Sequence, residues 1–405
     1  MPKVFPFAAI RPDSKTLDQV HCAPYDTMNR AEAAAMAEGK PFSFLHVDRP
    51  DIHFPADANP HAPEVYKRAR IELDRLLEQG ALHQDLGPVF SIYRQTMNGR
   101  QQTGLVATTL AADYASGVIK RHEFTRPDKE DDRVHHIEGT GCQCSPVFLA
   151  YRSQSDLDAL IAAPQGTPPY VDFVDDLDVR HELWIVEDAA HSERIEAAFE
   201  PVDYFYVADG HHRSAAAVRI ADAHPNEELA QRFLVVIFPH TQLHVMDYNR
   251  FVHDLNGHTH DEFVAAVSEH FEITPGQGSP ESARQFGMYL DGVWHTLSAK
   301  EHTHRNMAVV DALDVAILQR YILEPLLGIK DPRRSKRIEF IGGIRGMGEL
   351  EDKVQNKAGS VAFAMYPTSM SELLDVADDD AIMPPKSTWF EPKLRSGLFL
   401  NPVLR

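Results

Sequence analysis

Cysteine is nearly missing from this sequence: only Cys22, Cys142 and Cys144 occur among 405 residues. So sparse and odd-numbered a set fits a reducing compartment better than a disulfide framework. Positive charge is also short. Lys and Arg total 40 against 60 Asp and Glu, a formal net charge of −20, which repels polyanions and removes the electrostatic footprint of a general nucleic-acid binder. No apolar run approaches the length of a membrane span, and the opening stretch MPKVFPFAAIRPDSK lacks the apolar core of a secretory signal. These absences lead us to expect a cytoplasmic protein with no nucleic-acid and no membrane partner. Several catalytic and metal signatures are lacking too. There is no Gly-x-Ser-x-Gly elbow, no second cysteine pair at zinc spacing beside Cys142 and Cys144, and no glycine-rich turn ahead of Lys386-Ser387.

What is present is a globular composition in a chain longer than one ordinary core. Up to about residue 165, RAEAAAMAEG and APEVYKRARIELDRLLEQG read as helices, each closed by a glycine. PVFSIYRQTM, TGLVATTLAADY and SPVFLAY read as strands, with β-branched and aromatic residues crowded into short bounded runs. Alternating elements follow: strand HELWIVED, helix AAHSERIEAAFE, strand DYFYVA, helix HRSAAAVRIADAH, then strands FLVVIF and LHVMDYNRFV. The last part carries a helix DEFVAAVSEHF, strands FGMYL and VWHTLS, and a long helix DALDVAILQRYILEPLLG. Beyond them lie a strand SVAFAMY and a helix opened by a Ser369–Glu372 capping box. We expect an α+β (mixed α/β) fold of mixed sheets with helices packed on them. Three domains are expected: 1–165, 166–258 and 259–405, the last with a closing loop over 382–397.

Chemistry concentrates in three stretches. VADGHHRSAAA (207–217) predicts a strand-to-helix junction, placing His211, His212 and Arg213 on a first helical turn where unpaired amides favour anions. Gly210 permits close backbone approach, and the alanines let the helix lie against its sheet. Asp209 is equally a plain N-cap, or a magnesium ligand acting through water. KRHEFTRPDKEDDR (120–133) combines a good helix start at Pro127 with cations, Arg126 among them, that suit phosphate oxygens. Glu123 or Glu130 there suits a general base, while dipole complementation explains the acids as well. PPKSTWFEPKLRSG brings Lys386, Lys393 and Arg395 around Trp389 and Phe390, as a loop closing over a nucleotide or as a packed tail.

Together, APYD, FLHVDRPD, KRHEFTRPDKEDDR, VADGHHRSAAA and PPKSTWFEPKLRSG resemble the bacterial DUF1015 family along nearly the whole chain. More narrowly, ADGHHRSAA is similar to the nucleotide-phosphate motif of the ParB and sulfiredoxin superfamily and of its free-serine kinase branch. That resemblance implies a ParB/sulfiredoxin-like central part in which Asp209, Gly210, His211, His212 and Arg213 contact the phosphates of ATP or ADP with Mg²⁺. It also implies a small substrate, serine or phosphoserine, and leaves a homodimer open. The reading is a nucleotide-dependent phosphotransferase with Glu123, Asp209 and His212 in catalytic roles and Arg126 and Lys386 as further phosphate contacts. Its alternatives are a phosphoserine or phosphomonoester phosphatase and a non-catalytic nucleotide switch.

Overall fold

A computed structural model describes residues 1–404. Helices and sheets are mixed, as expected, but the chain divides into two compact units rather than three: Met1–Leu243 with Pro392–Arg405, and His244–Glu391.

The first unit is built on one eight-stranded sheet in the order Ile119–Lys120, Phe205–Asp209, Val147–Tyr151, Arg232–Pro239, Arg100–Leu110, Phe90–Met97, Arg180–Val186 and Val171–Val174. Val147–Tyr151 and nearly all of Arg232–Pro239 are buried, as strands must be when both faces of a sheet are covered. This sheet explains why a boundary at 165 fails. Phe90 pairs with Val186, and Arg232 with Leu110, so hydrophobic strands from both sides of 165 share one ladder and one core. The stretch 163–166 is a single 3₁₀ turn within the unit. The boundary expected at 258 falls at 243, and the chain returns to the first unit at Pro392.

Helix His211–Ala223 uses two sides for packing. Ala217 and Ala221 join the core beneath the sheet, while Ala216 and Ile220 meet Val134 and Ile137 of helix Pro127–Thr140. Small side chains on both sides allow both approaches at once. Arg219 adds a lock, reaching Asp131 at 2.8 Å and Glu130 at 3.7 Å.

The second unit has a six-stranded antiparallel sheet: Phe271–Pro275, Val293–Ala299, Gln285–Leu290, Val361–Met365, Tyr248–Val252 and Ile338–Gly342 in spatial order. Phe251, Tyr289 and Ile341 bury one face against Leu350 and Val354 of helix Gly346–Gln355. Two expected elements are interrupted. The long helix is α-helical only over Asp314–Leu318 and continues as a π-turn over Gln319–Leu323, because Pro325 has no N–H and its ring crowds the preceding turn. LHVMDYNRFV splits at Asp247 into Val245–Met246 and Tyr248–Val252. The expected closing loop 382–397 is divided as well. Trp389 and Phe390 pair with Val245–Met246 in the second unit. Pro392 onward is pinned in the first: Gln102 donates to the Pro392 carbonyl, Gln95 to that of Lys393, and Cys22 pairs with Ser396.

Candidate functional site

The junction expected at 207–217 is present. Strand Phe205–Asp209 ends with a register shift between Val207 and Asp209, Gly210 turns the chain at φ +101°, and helix His211–Ala223 begins at once. Glycine is required on two counts. That φ is left-handed, and a Cβ on Gly210 would stand 2.9 Å from Arg213 Nε.

The polar side chains of the turn divide into two groups. In the first, Asp209 is gripped by cations: Arg213 Nη2 donates to its Oδ2 at 2.7 Å and Lys393 Nζ to its Oδ1 at 3.1 Å. Burial pushes the Asp209 carboxyl up, but Lys393 and Arg213 together outweigh it and hold the group well below the usual carboxylate range. Arg213 also donates through Nη1 to the Pro146 carbonyl, tying the helix start to the neighbouring strand.

In the second group, imidazoles are gathered without cationic character. His122, 2% exposed, presents its ring edge-on to His211 at 4.6 Å between centroids. Burial lowers the His122 pKa to about 4, and burial together with His122 pushes His211 well below the ordinary value; His212 is lowered mainly by burial. All three are therefore neutral at pH 7, so Arg213 alone brings positive charge to the first helical turn. What they offer instead is unmet hydrogen-bonding capacity: His122 Nδ1, His211 Nε2 and His212 Nε2 are buried with no partner among the described residues. Two such nitrogens at one helix start, with a third on the ring packed against them, are a departure from the rule that buried polar atoms are paired.

Glu123 stands nearest, with Oε2 3.9 Å from His211 Nδ1, and is 44% exposed; Asp209 is 32% exposed. The turn is thus open to solvent through its two carboxylates and closed around its imidazoles. Glu130, the other base that the sequence left open, is engaged by Arg219. Asp26, from APYD, is exposed, and its charge acts on both His212 and Arg213. Tyr25 beside it lies under the Arg133 guanidinium at 3.8 Å, and Arg133 in turn faces Asp48 of FLHVDRPD at 3.7 Å. The four motifs other than VADGHHRSAAA itself therefore all bear on this turn, Asp48 through its charge on Arg213 and through Arg133.

Not every expected phosphate contact belongs here. Arg126 caps helix Pro127–Thr140, is exposed and pairs with Asp128 at 2.8 Å, though its charge is felt by His212. Lys386 belongs to the second unit, where its ammonium lies over the Tyr248 ring at 5.7 Å. The cation from the same motif that reaches Asp209 is Lys393, seven residues on. Nothing in the local pattern distinguished the two lysines, because the choice is made by where the chain re-enters the first unit.

The residues do not fit a protein-bound metal. Both Asp209 oxygens are occupied by cations, and no cluster of three His, Cys, Asp or Glu side chains is placed to hold an ion among the described residues. Asp209 as a magnesium ligand is accordingly corrected: its place in the structure is that of an anion holding two cations.

These features define a mixed α/β protein with a strand–glycine–helix turn. The chain belongs to the family described as "Protein of unknown function (DUF1015)", whose model matches residues 4–316. No curated protein matches it. Among solved structures it is similar to a free serine kinase in complex with AMP, at 15% identity and TM-score 0.35, over 70% of this chain and 86% of that one. It is also similar to SbnI with C-terminal truncation from Staphylococcus aureus, at 12% identity and TM-score 0.39, over 71% and 84%. A conserved hypothetical protein from Pyrococcus furiosus is similar at 13% identity and TM-score 0.34, over 70% and 90%.

Proposed function

We propose that the turn Asp209–Arg213 binds the phosphates of ATP or ADP and that the protein transfers a phosphoryl group to a small hydroxyl metabolite, free L-serine first among them. The observation that carries the reading is a set of three buried imidazole nitrogens without partners among the described residues, two at a helix N-terminus and the third on His122 packed against His211. Neutral imidazoles donate hydrogen bonds to oxyanions, and the unpaired amides after Gly210 point the same way. Lys393 and Arg213 supply the positive charge, in part by exchanging Asp209 for phosphate.

In the transfer, the serine oxygen forms a bond to the terminal phosphorus, the bond from that phosphorus to the bridging oxygen breaks, and the leaving nucleotide keeps the electron pair. The serine hydroxyl proton passes to Glu123, a role supported by its exposed carboxylate 3.9 Å from His211 Nδ1. No step is routed through a protein-bound metal.

The test is direct. Calorimetry with ATP and ADP, and mass spectrometry for phosphoserine, are run on wild type, Glu123→Gln, Asp26→Asn, His212→Ala and Lys393→Ala. Expected are phosphoserine formation by wild type, a loss of turnover of about 10²-fold or more in Glu123→Gln with nucleotide affinity retained, and weakened nucleotide binding in His212→Ala and Lys393→Ala. Should Asp26→Asn lose turnover while Glu123→Gln keeps it, Glu123 is not the base. Phosphate release from phosphoserine without nucleotide points instead to a phosphatase, and nucleotide binding without product to a switch.

A further inference from the structure

The second unit carries a buried cation that no carboxylate neutralises among the described residues. Arg250 is 3% exposed at the middle of strand Tyr248–Val252, on the sheet face opposite Phe251 and its core. Its Nη1 donates to the Tyr248 carbonyl and its Nη2 to the Lys386 carbonyl at 2.9 Å, while its guanidinium carbon lies 5.3 Å from the Phe340 ring centroid. Other buried arginines in this protein meet acids: Arg133 pairs with Asp132 at 2.6 Å, and Arg395 with Asp175 at 3.2 Å. Arg250 has two carbonyls and an aromatic face, which leaves part of its donor fork unused. Burial lowers its pKa to about 10, so it remains charged at neutral pH.

That fork borders a cavity of about 410 Å³, within the range of small-molecule sites. The π-turn puts Gln319 on the wall; its Nε2 donates to the Ile329 carbonyl, and its Oε1 is buried with no hydrogen-bond partner among the described residues. Lys330 and Arg333 stand exposed at the lining, Arg333 shared with Asp331 at 3.1 Å and Lys330 in no ion pair among the described residues. Leu323 and Phe340 contribute apolar surface.

We propose that this cavity binds a small organic oxyanion, a carboxylate or a phosphate ester that also carries a hydroxyl or amide donor and an apolar portion. Arg250 receives the oxyanion, Gln319 Oε1 accepts from the donor, and Lys330 and Arg333 draw the ligand in. A guanidinium fork matches both carboxylate and phosphate geometry, and a dry setting strengthens the contact. Clamping the segment that holds Lys386 accounts for one of the Arg250 donors but leaves the orphaned Gln319 oxygen, the cavity and the mouth cations without a role.

Three probes separate the chemistries: 3-phenyllactate for a carboxylate, glycerol 3-phosphate for a phosphate ester, and inorganic phosphate for the oxyanion alone. Calorimetry on the full chain is expected to give saturable 1:1 binding of at least one organic probe, retained in His212→Ala, which separates this site from the turn at Asp209. Lys330→Ala and Arg333→Ala should each weaken that binding about fivefold with unchanged unfolding midpoints, and Gln319→Glu should weaken it further. Arg250→Met is expected to abolish binding; if it does not fold, the other variants decide. No saturable binding by any probe, or affinity unchanged in both Lys330→Ala and Arg333→Ala, overturns the proposal.

Discussion

At the scale of single residues, the side chains that give the turn its polar look have unlike roles. Arg213 and Lys393 are spent on Asp209, while the histidines are neutral, each with one buried ring nitrogen that has no partner among the described residues. That arrangement has a consequence in acid. His122 has a folded pKa of about 4 and His21 one of about 3, both driven down first by burial, against an ordinary value of 6.5. The unfolded chain therefore binds more protons than the folded one over this interval. Stability is fully present above about pH 6.5 and falls as pH drops toward 4, by roughly 3 kcal/mol for His122 alone. Urea unfolding between pH 4 and 7 should show this slope, and His122→Gln should flatten it by about one proton; parallel profiles for the two proteins would show that His122 is not responsible. Nucleotide binding should run the opposite way. A phosphate beside His211 and His212 raises their pKa values, so binding takes up protons and tightens toward lower pH, which calorimetry in buffers of different ionisation enthalpy can read.

At the scale of elements, the decisive join is strand to helix through one glycine. Gly210→Ala must hold an alanine at φ +101° with its Cβ 2.9 Å from Arg213 Nε. We expect a loss of about 1–3 kcal/mol from backbone strain, together with displacement of Arg213 from Asp209. Thermal unfolding measures the first effect. If the midpoint is unchanged, the turn is not under this constraint. The helix that follows was legible because its alanines and its lead-in strand are both local signals, and so was helix Pro127–Thr140 from its first-turn proline. The break at Gln319–Leu323 shows where local reading stops. Apolar periodicity runs through Pro325 without interruption, and only a backbone able to widen its turn reconciles the two.

At the scale of the whole molecule, each unit has its own sheet, but only the second is continuous in sequence. Leu394, Leu398, Phe399, Leu400 and Val403 are buried, Leu400 pairs with Ile10, and Asn401–Pro402 pairs with Cys142–Gln143. Removing 392–405 therefore takes out core, ladder and Lys393 together. The first unit should lose its cooperative unfolding transition while the second keeps its own, as scanning calorimetry can resolve; retention of both transitions would contradict the assignment of the returning segment. Thiol chemistry offers a separate check. Cys22, Cys142 and Cys144 are all buried, and burial raises each thiol, Cys142 to about 12. Native protein should resist iodoacetamide, and denatured protein should be labelled at all three.

The sequence by itself determined what depends on near neighbours: the mixed fold class, most strands and helices, the Ser369 capping box, and the glycine turn opening a helix. Periodicity and turn chemistry act over a few residues, so they can be read in order along the chain. Only the tertiary structure decided which distant groups meet. It put strands from both sides of residue 165 into one sheet, brought Lys393 to Asp209, engaged Glu130 with Arg219 and set Glu123 Oε2 3.9 Å from His211 Nδ1. It also made the histidines neutral, because the pKa of an imidazole is set by how much water and charge surround it, and those surroundings exist only after the chain has folded.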